Sequence, residues 1–111
     1  KIELTREQAG QLQYDLLEGF KAVPFQQELM SAFKQHGDTL EFRNIRRDLA
    51  FGVQSAIIPR YGFSADRDGV LLMMSAMSRF TDPTFAYIGS QIDQLLQPGA
   101  TPNAANEEKA S

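Results

Sequence analysis

Residues 38–63, DTLEFRNIRRDLAFGVQSAIIPRYGF, decide the fold. Within them Leu40, Phe42, Ile45, Leu49, Val53, Ala56 and Ile57 recur at the three- and four-residue intervals that place side chains on one face of an α-helix. No stretch alternates with the period of two that a half-buried strand needs. The apolar stripe is broad, so this helix is expected at the centre of the domain. Asp38 followed by Glu41 predicts the cap at its start. At its end Pro59 disfavours helical geometry at Ile58, and Gly62 supplies a left-handed residue that lets Phe63 fold back over the last turn.

The same punctuation extends in both directions. Upstream, Thr5 and Gln8 predict a capping box for a first helix carrying Ala9, Leu12, Leu16 and Phe20 and ending near Lys21. Pro24 suits the first turn of a second helix, in which Phe25, Leu29 and Phe33 recur every four residues until Gly37 stops it. Downstream, Ser64 or Asp66 caps a fourth helix running from Val70 to Arg79. It is apolar nearly all round, so it is either enclosed or partly covered by a partner. Asp82 and Pro83 form an N-cap and first-turn pair for a fifth helix with Phe85, Ile88, Ile92, Leu95 and Leu96, closed by Pro98 and Gly99. The expected fold is all-α, a compact bundle of five helices. The third and fourth helices are expected at its centre, with Phe20, Phe33, Ile45, Leu49, Val53, Ile57 and Ile88 in the core.

At 111 residues, 42% apolar and 23% charged, the chain has the size and composition of one globular domain. Residues 1–98 are assigned to it. Residues 99–111 contain no large apolar side chain and cannot bury enough surface to offset ordering entropy of about 1 kcal/mol or more per residue, so they are expected to form a polar tail. The sequence begins at Lys1 with neither an initiator Met nor an apolar or Arg/Ser-rich leader. The expectation is therefore that any targeting segment was removed or lies outside this sequence. The longest apolar run, residues 69–77, is interrupted by Ser75 and is less than half of the roughly 20 residues that span a bilayer.

Composition also excludes classes of chemistry. There is no cysteine, hence no disulfide, thiolate metal site or cysteine nucleophile, and His36 is the single histidine, too few for a multi-histidine zinc site. A net charge of −3 argues against broad nucleic-acid binding, which needs a basic face. Asp66-Arg67-Asp68-Gly69 resembles the opening of a calcium loop, but its glycine comes fourth rather than sixth and Met77 stands where the bidentate Glu belongs. A helix start explains it more simply. His36 beside the Gly37 stop reads as a surface histidine at a helix C-terminus, since no serine or cysteine nucleophile motif accompanies it. No catalytic residue, cofactor or metal site is assigned.

Two clusters remain. Arg43, Arg46 and Arg47, with Arg60 further along, form either a solvated, ion-paired helix face or a guanidinium fork for a carboxylate, phosphate or headgroup on a partner. Met73, Met74 and Met77, with Leu71 and Phe80, are either core or an adaptable docking groove, because thioether chains repack readily. The expected contact surface comprises these four arginines and three methionines. Residues 99–111 are expected to gain order along a neighbour.

The stretch from 41 to 99 resembles a small helical domain found in dinoflagellate proteins, shared by the N-terminal regions of the luciferase and the luciferin-binding protein. The residues that carry the resemblance are Glu41-Phe42-Arg43, Arg46-Arg47-Asp48-Leu49, Val53-Gln54, Pro59-Arg60-Tyr61-Gly62-Phe63, Gly69-Val70, Asp82-Pro83 and Leu95-Leu96-Gln97-Pro98-Gly99. The sequence departs from that pattern at Thr84, where an acidic residue is expected, and at Gln97, where an Asn is expected. In the luciferase the domain precedes the catalytic repeats. The resemblance therefore implies a non-catalytic module, an accessory subunit of a larger assembly. It points toward a plastid rather than the cytoplasm, with a photosynthetic complex as host and peripheral contact with a membrane complex. The alternative expectation is a carrier in which the Met- and Phe-rich centre encloses a small apolar ligand or pigment.

Overall fold

The computed structural model describes residues 2–98, and residues 99–111 lie outside the described part. Five α-helices and one 3-10 turn follow in order: α1 Arg6–Lys21, α2 Val23–His36, α3 Leu40–Ile57, the turn Ile58–Tyr61, α4 Arg67–Met77 and α5 Pro83–Leu95. The all-α, five-helix expectation holds.

Most boundaries follow the caps. Thr5 Oγ1 accepts from the Gln8 amide at 3.0 Å, and Gln8 Oε1 accepts from the Thr5 amide at 2.9 Å, completing the capping box. Gly37 and Gly62 close α2 and the 3-10 turn at φ 66° and 96°, a region that L side chains adopt only with strain. The Phe63 amide returns to the Ile58 carbonyl at 3.3 Å and its ring is buried, as the Tyr-Gly-Phe reading requires. Asp66 caps α4 through the Gly69 amide at 2.8 Å, and Asp82 caps α5 through the Phe85 amide at 3.1 Å. Two boundaries differ. Thr39, not Asp38, caps α3, its Oγ1 accepting from the Phe42 amide at 3.2 Å, while Asp38 is left to pair with Arg43 at 3.3 Å. With Asp66 as cap, α4 takes Arg67, Asp68 and Gly69 into its first turn and so starts before Val70, then ends at Met77 rather than Arg79.

Two helices share the centre of the bundle: α1 packs against α2, α3, α5 and the 3-10 turn, and α3 against α1, α2, α4 and the same turn. The more deeply buried of the two is α1, which buries Ala9, Leu12, Gln13, Leu16 and Phe20 where α3 buries Phe42 and Ile57, while α4 lies to one side. The backbone of α1 crosses α3 closely at Gly19, where an added Cβ would stand 2.6 Å from Val53 Cγ1. Along α3, Phe42 and Ile57 are buried, but Ile45, Leu49 and Val53 are half-buried, as is Phe33 on α2. The reason is local: open grooves flank α3. One of about 450 Å³ on the α2 side is lined by Ile45 and Leu49, and one of about 310 Å³ on the α4 side is lined by Ala50 and Phe51. Ile88 also stays outside the core, because α5 turns Phe85, Ile92, Leu95 and Leu96 inward instead.

Polar ties fasten the helices to one another. Arg6 grips Asp82 through two nitrogens at 2.8 and 3.1 Å, joining α1 to the start of α5. Gln26 Nε2 donates to the Phe20 and Leu95 carbonyls at 2.7 and 2.9 Å, so α2 holds the ends of α1 and α5 together.

Candidate functional site

The helix α4 lies across one side of the bundle, and its faces are unequal. Gly69 and Met73, four residues apart, are buried, and Val70, Ala76 and Met77 pack half-buried against the core. Leu71, Leu72 and Met74 are exposed at 64%, 57% and 55%. Leu71 and Met74, three residues apart, share the side toward α3, whereas Leu72 turns to a separate groove of about 510 Å³ beside Ile2 and Phe63. The position of α4 is fixed by Gly69: a Cβ there would lie 1.8 Å from the Ser64 backbone oxygen, so the Ser64 loop can close against the helix only above a glycine.

Grooves open on either flank of α4. Toward α3, Arg47, Phe51, Arg67, Val70, Leu71 and Met74 line the 310 Å³ groove. Its lining is mostly apolar with two guanidinium groups beside it. Arg67 pairs with Asp48 at 2.9 Å and stacks 4.6 Å above the Phe51 ring, bridging α4 to α3. Arg47 donates to the neutral Asn44 Oδ1 at 3.2 Å and has no ion pair among the described residues. Its guanidinium is exposed to solvent at the edge of that apolar surface. Toward α5 a second groove of about 390 Å³ is walled by Met73, Met74, Met77, Phe80, Ile92 and Leu96.

The predicted contact residues are distributed over this geometry unevenly. Arg43 pairs with Asp38 near the start of α3. Arg46 donates to the Leu96 carbonyl at 3.4 Å and stacks over the Phe42 ring at 5.3 Å, so it ties α3 to the end of α5. Arg60 sits 3.8 Å from Asp15 of α1. Each of the four arginines engages a different partner, and Arg47 is the one that borders an apolar groove. Among the methionines, Met74 is exposed and lines both grooves, Met77 is half-buried, and Met73 is a core residue at 3% exposure. The predicted contribution of residues 99–111 lies outside the described residues.

Asp66 serves as the α4 cap and also accepts from Ser64 Oγ at 2.7 Å; these bonds hold its carboxyl below the usual carboxylate range. Asp68 stands in the first turn of the helix, where a carboxylate faces the positive dipole end. His36 is the last residue of α2. Among the described residues no group of three metal-ligating side chains is assembled, and no helix is long and apolar enough to cross a membrane.

Other titrating groups are structural ties. The Arg6 guanidinium and the Phe85 amide lower the Asp82 carboxyl to about 2. Burial and the hydrogen bond to Asp15 push the Tyr61 hydroxyl up to about 12.

Four residues that sequence reasoning did not single out matter here: Phe51, Arg67, Leu72 and Gln13. The last is the buried polar residue of the core, at 2% exposure. Its Nε2 donates to the Phe85 carbonyl at 2.8 Å, and because a carbonyl can face only the NH2 of an amide, this bond fixes which end of the side chain is oxygen. Among the described residues Oε1 has no hydrogen-bond partner. An unsatisfied buried acceptor costs about 1–3 kcal/mol, and Gln13 lines the α4–α5 groove.

Compared with family models, with curated proteins and with solved structures, the chain matches none.

Proposed function

We propose that this chain is a non-catalytic helical interaction module, an accessory subunit that docks through the face formed by α3 and α4. Its partner is a protein presenting apolar side chains to Leu71 and Met74 and a carboxylate to Arg47. The observation that carries this reading is the exposure of those two side chains beside an open, mostly apolar groove.

The exposed patch alone does not account for a stable complex. Burying a large apolar side chain fully is worth about 1.5–3 kcal/mol, so covering two that are already partly enclosed contributes roughly 2–3 kcal/mol. Loss of translational and rotational freedom alone costs about that much or more. The interface must therefore extend beyond α4, toward the roughly 800 Å² per partner of a stable complex. Phe51 and Arg47 on α3 provide the adjoining surface, and Arg47 supplies the choice of an acidic partner. The resemblance to the small dinoflagellate domain supports a module without catalytic residues.

The test is site-specific photo-crosslinking. The photoreactive residue benzoylphenylalanine is placed at Leu71 and, as a control, at Gln35 on α2, and irradiation is carried out in extract from the source organism. The account expects a discrete heterologous adduct from position 71 that is absent from position 35. Equal labelling from both positions, no adduct, or adducts confined to a second copy of this chain would overturn the reading.

A further inference from the structure

The α4–α5 groove has a different character from the docking face, and its floor contains Gln13. An apolar groove needs no amide beneath it; a leucine or methionine would fill the same space without leaving an acceptor unpaired. Gln13 uses one end of its amide to hold the Phe85 carbonyl, its side chain lines the groove, and its Oε1 is buried without a partner among the described residues. The walls supply apolar contact from Phe80, Ile92 and Leu96, and from three methionines whose side chains change rotamer readily. At about 390 Å³ the groove is within the size range of small-molecule sites, which are lined by apolar side chains with a few polar groups that orient the ligand.

We propose that this groove binds a small, largely apolar molecule bearing one hydrogen-bond donor, a hydroxyl or an N–H, with the donor directed to Gln13 Oε1. Oε1 is closed off from solvent, so a ligand reaches it only if the adaptable methionine side chains of the groove wall give way. The site selects for a donor because a ligand without one leaves the acceptor unsatisfied. The groove shares Met74 with the docking face but rests on a different observation, Gln13, and does not depend on the docking proposal.

The experiment titrates 1-naphthol and naphthalene into the intact chain and follows the methyl resonances of Met73, Met74 and Met77 by NMR. The expected result is saturable shifts with both probes and affinity for 1-naphthol about three- to tenfold higher, the worth of one net hydrogen bond. In Gln13→Met, a change of similar volume that removes the acceptor, the preference should vanish while naphthalene still binds. A second variant, Met77→Trp, fills the groove and should abolish binding of both probes without touching Gln13. Equal affinities in the unmodified protein, a preference that survives Gln13→Met, unchanged binding in Met77→Trp, or no saturable shift with either probe would each overturn the proposal. Equal affinities would also be the result if a trapped water, rather than a ligand, satisfied Oε1.

Discussion

Replacing Gly69 by Ala is expected to destabilise the domain by about 1–4 kcal/mol, although alanine is the better helix former. The added Cβ would sit 1.8 Å from the Ser64 backbone oxygen and 2.9 Å from its Oγ. Rotation of a side chain cannot relieve contact with a backbone oxygen, so residues 64–69 must move. That motion breaks the bond from the Gly69 amide to Asp66 Oδ1, at 2.8 Å the cap of α4. Loss of a cap costs about 0.5–2 kcal/mol and forced displacement of packed backbone about 1–3, while exchanging glycine for alanine returns about 0.5–1. The same exchange at Gly52, exposed in the middle of α3 with nothing within 4 Å of the new Cβ, should raise stability by about 0.5–1 kcal/mol. Urea unfolding followed by far-ultraviolet circular dichroism measures both. An unchanged or raised midpoint for Gly69→Ala would refute the reasoning, because propensity would then have outweighed the contact with Ser64.

Leu29→Ala, at a fully buried position, should cost about 2–5 kcal/mol, and Leu49→Ala, beside the α2–α3 groove, distinctly less; equal losses would contradict the assignment of α3 as a half-covered helix. The lowered Asp82 carboxyl favours the folded state while ionised, so its contribution is complete above the usual carboxylate value near 3.8 and is lost as pH falls toward about 2. Urea midpoints measured between pH values of about 5 and 2 should therefore drop less steeply in Asp82→Asn than in the unmodified chain. The raised Tyr61 hydroxyl favours the folded state while protonated; that contribution is intact below about pH 10 and declines as pH rises toward about 12, a decline that Tyr61→Phe should remove from alkaline unfolding curves.

How much of this was legible in the sequence follows from where each signal resides. Thr5, Pro24, Gly37, Gly62, Asp66 and Asp82 act on the backbone within a few residues, so their roles could be read locally and recur in the structure. The depth of burial could not. The width of a helix's apolar stripe says how much it can bury, whereas how completely that stripe is covered depends on how the other helices fold; α3 packs against as many elements as α1 yet buries fewer of its side chains. On α4 nearly every position is apolar, so the sequence carries no contrast to tell Met73, which is buried, from Met74, which is exposed. Gln13 hid in the opposite way. It lies four residues after Ala9 and three before Leu16, squarely on the buried stripe of α1, but its polarity argued against burial. The arginines were visible as a cluster, and Asn44, three residues before Arg47 on α3, stands within helical reach of it; Leu96 and Asp15, which meet Arg46 and Arg60, come from other elements and could not be read from spacing.

The central claim, that the α3–α4 face is a docking surface, is tested most directly by the double variant Leu71→Glu, Met74→Glu. Both side chains are exposed, so folding stability should stay within about 0.5 kcal/mol of the unmodified protein. Retention of the partner identified by crosslinking at position 71 is then measured by affinity purification from the source extract. The account predicts a folded domain that no longer retains that partner. A folded double variant that retains it undiminished would contradict the claim and return Leu71 and Met74 to the ordinary exposed apolar surface of a small helical domain.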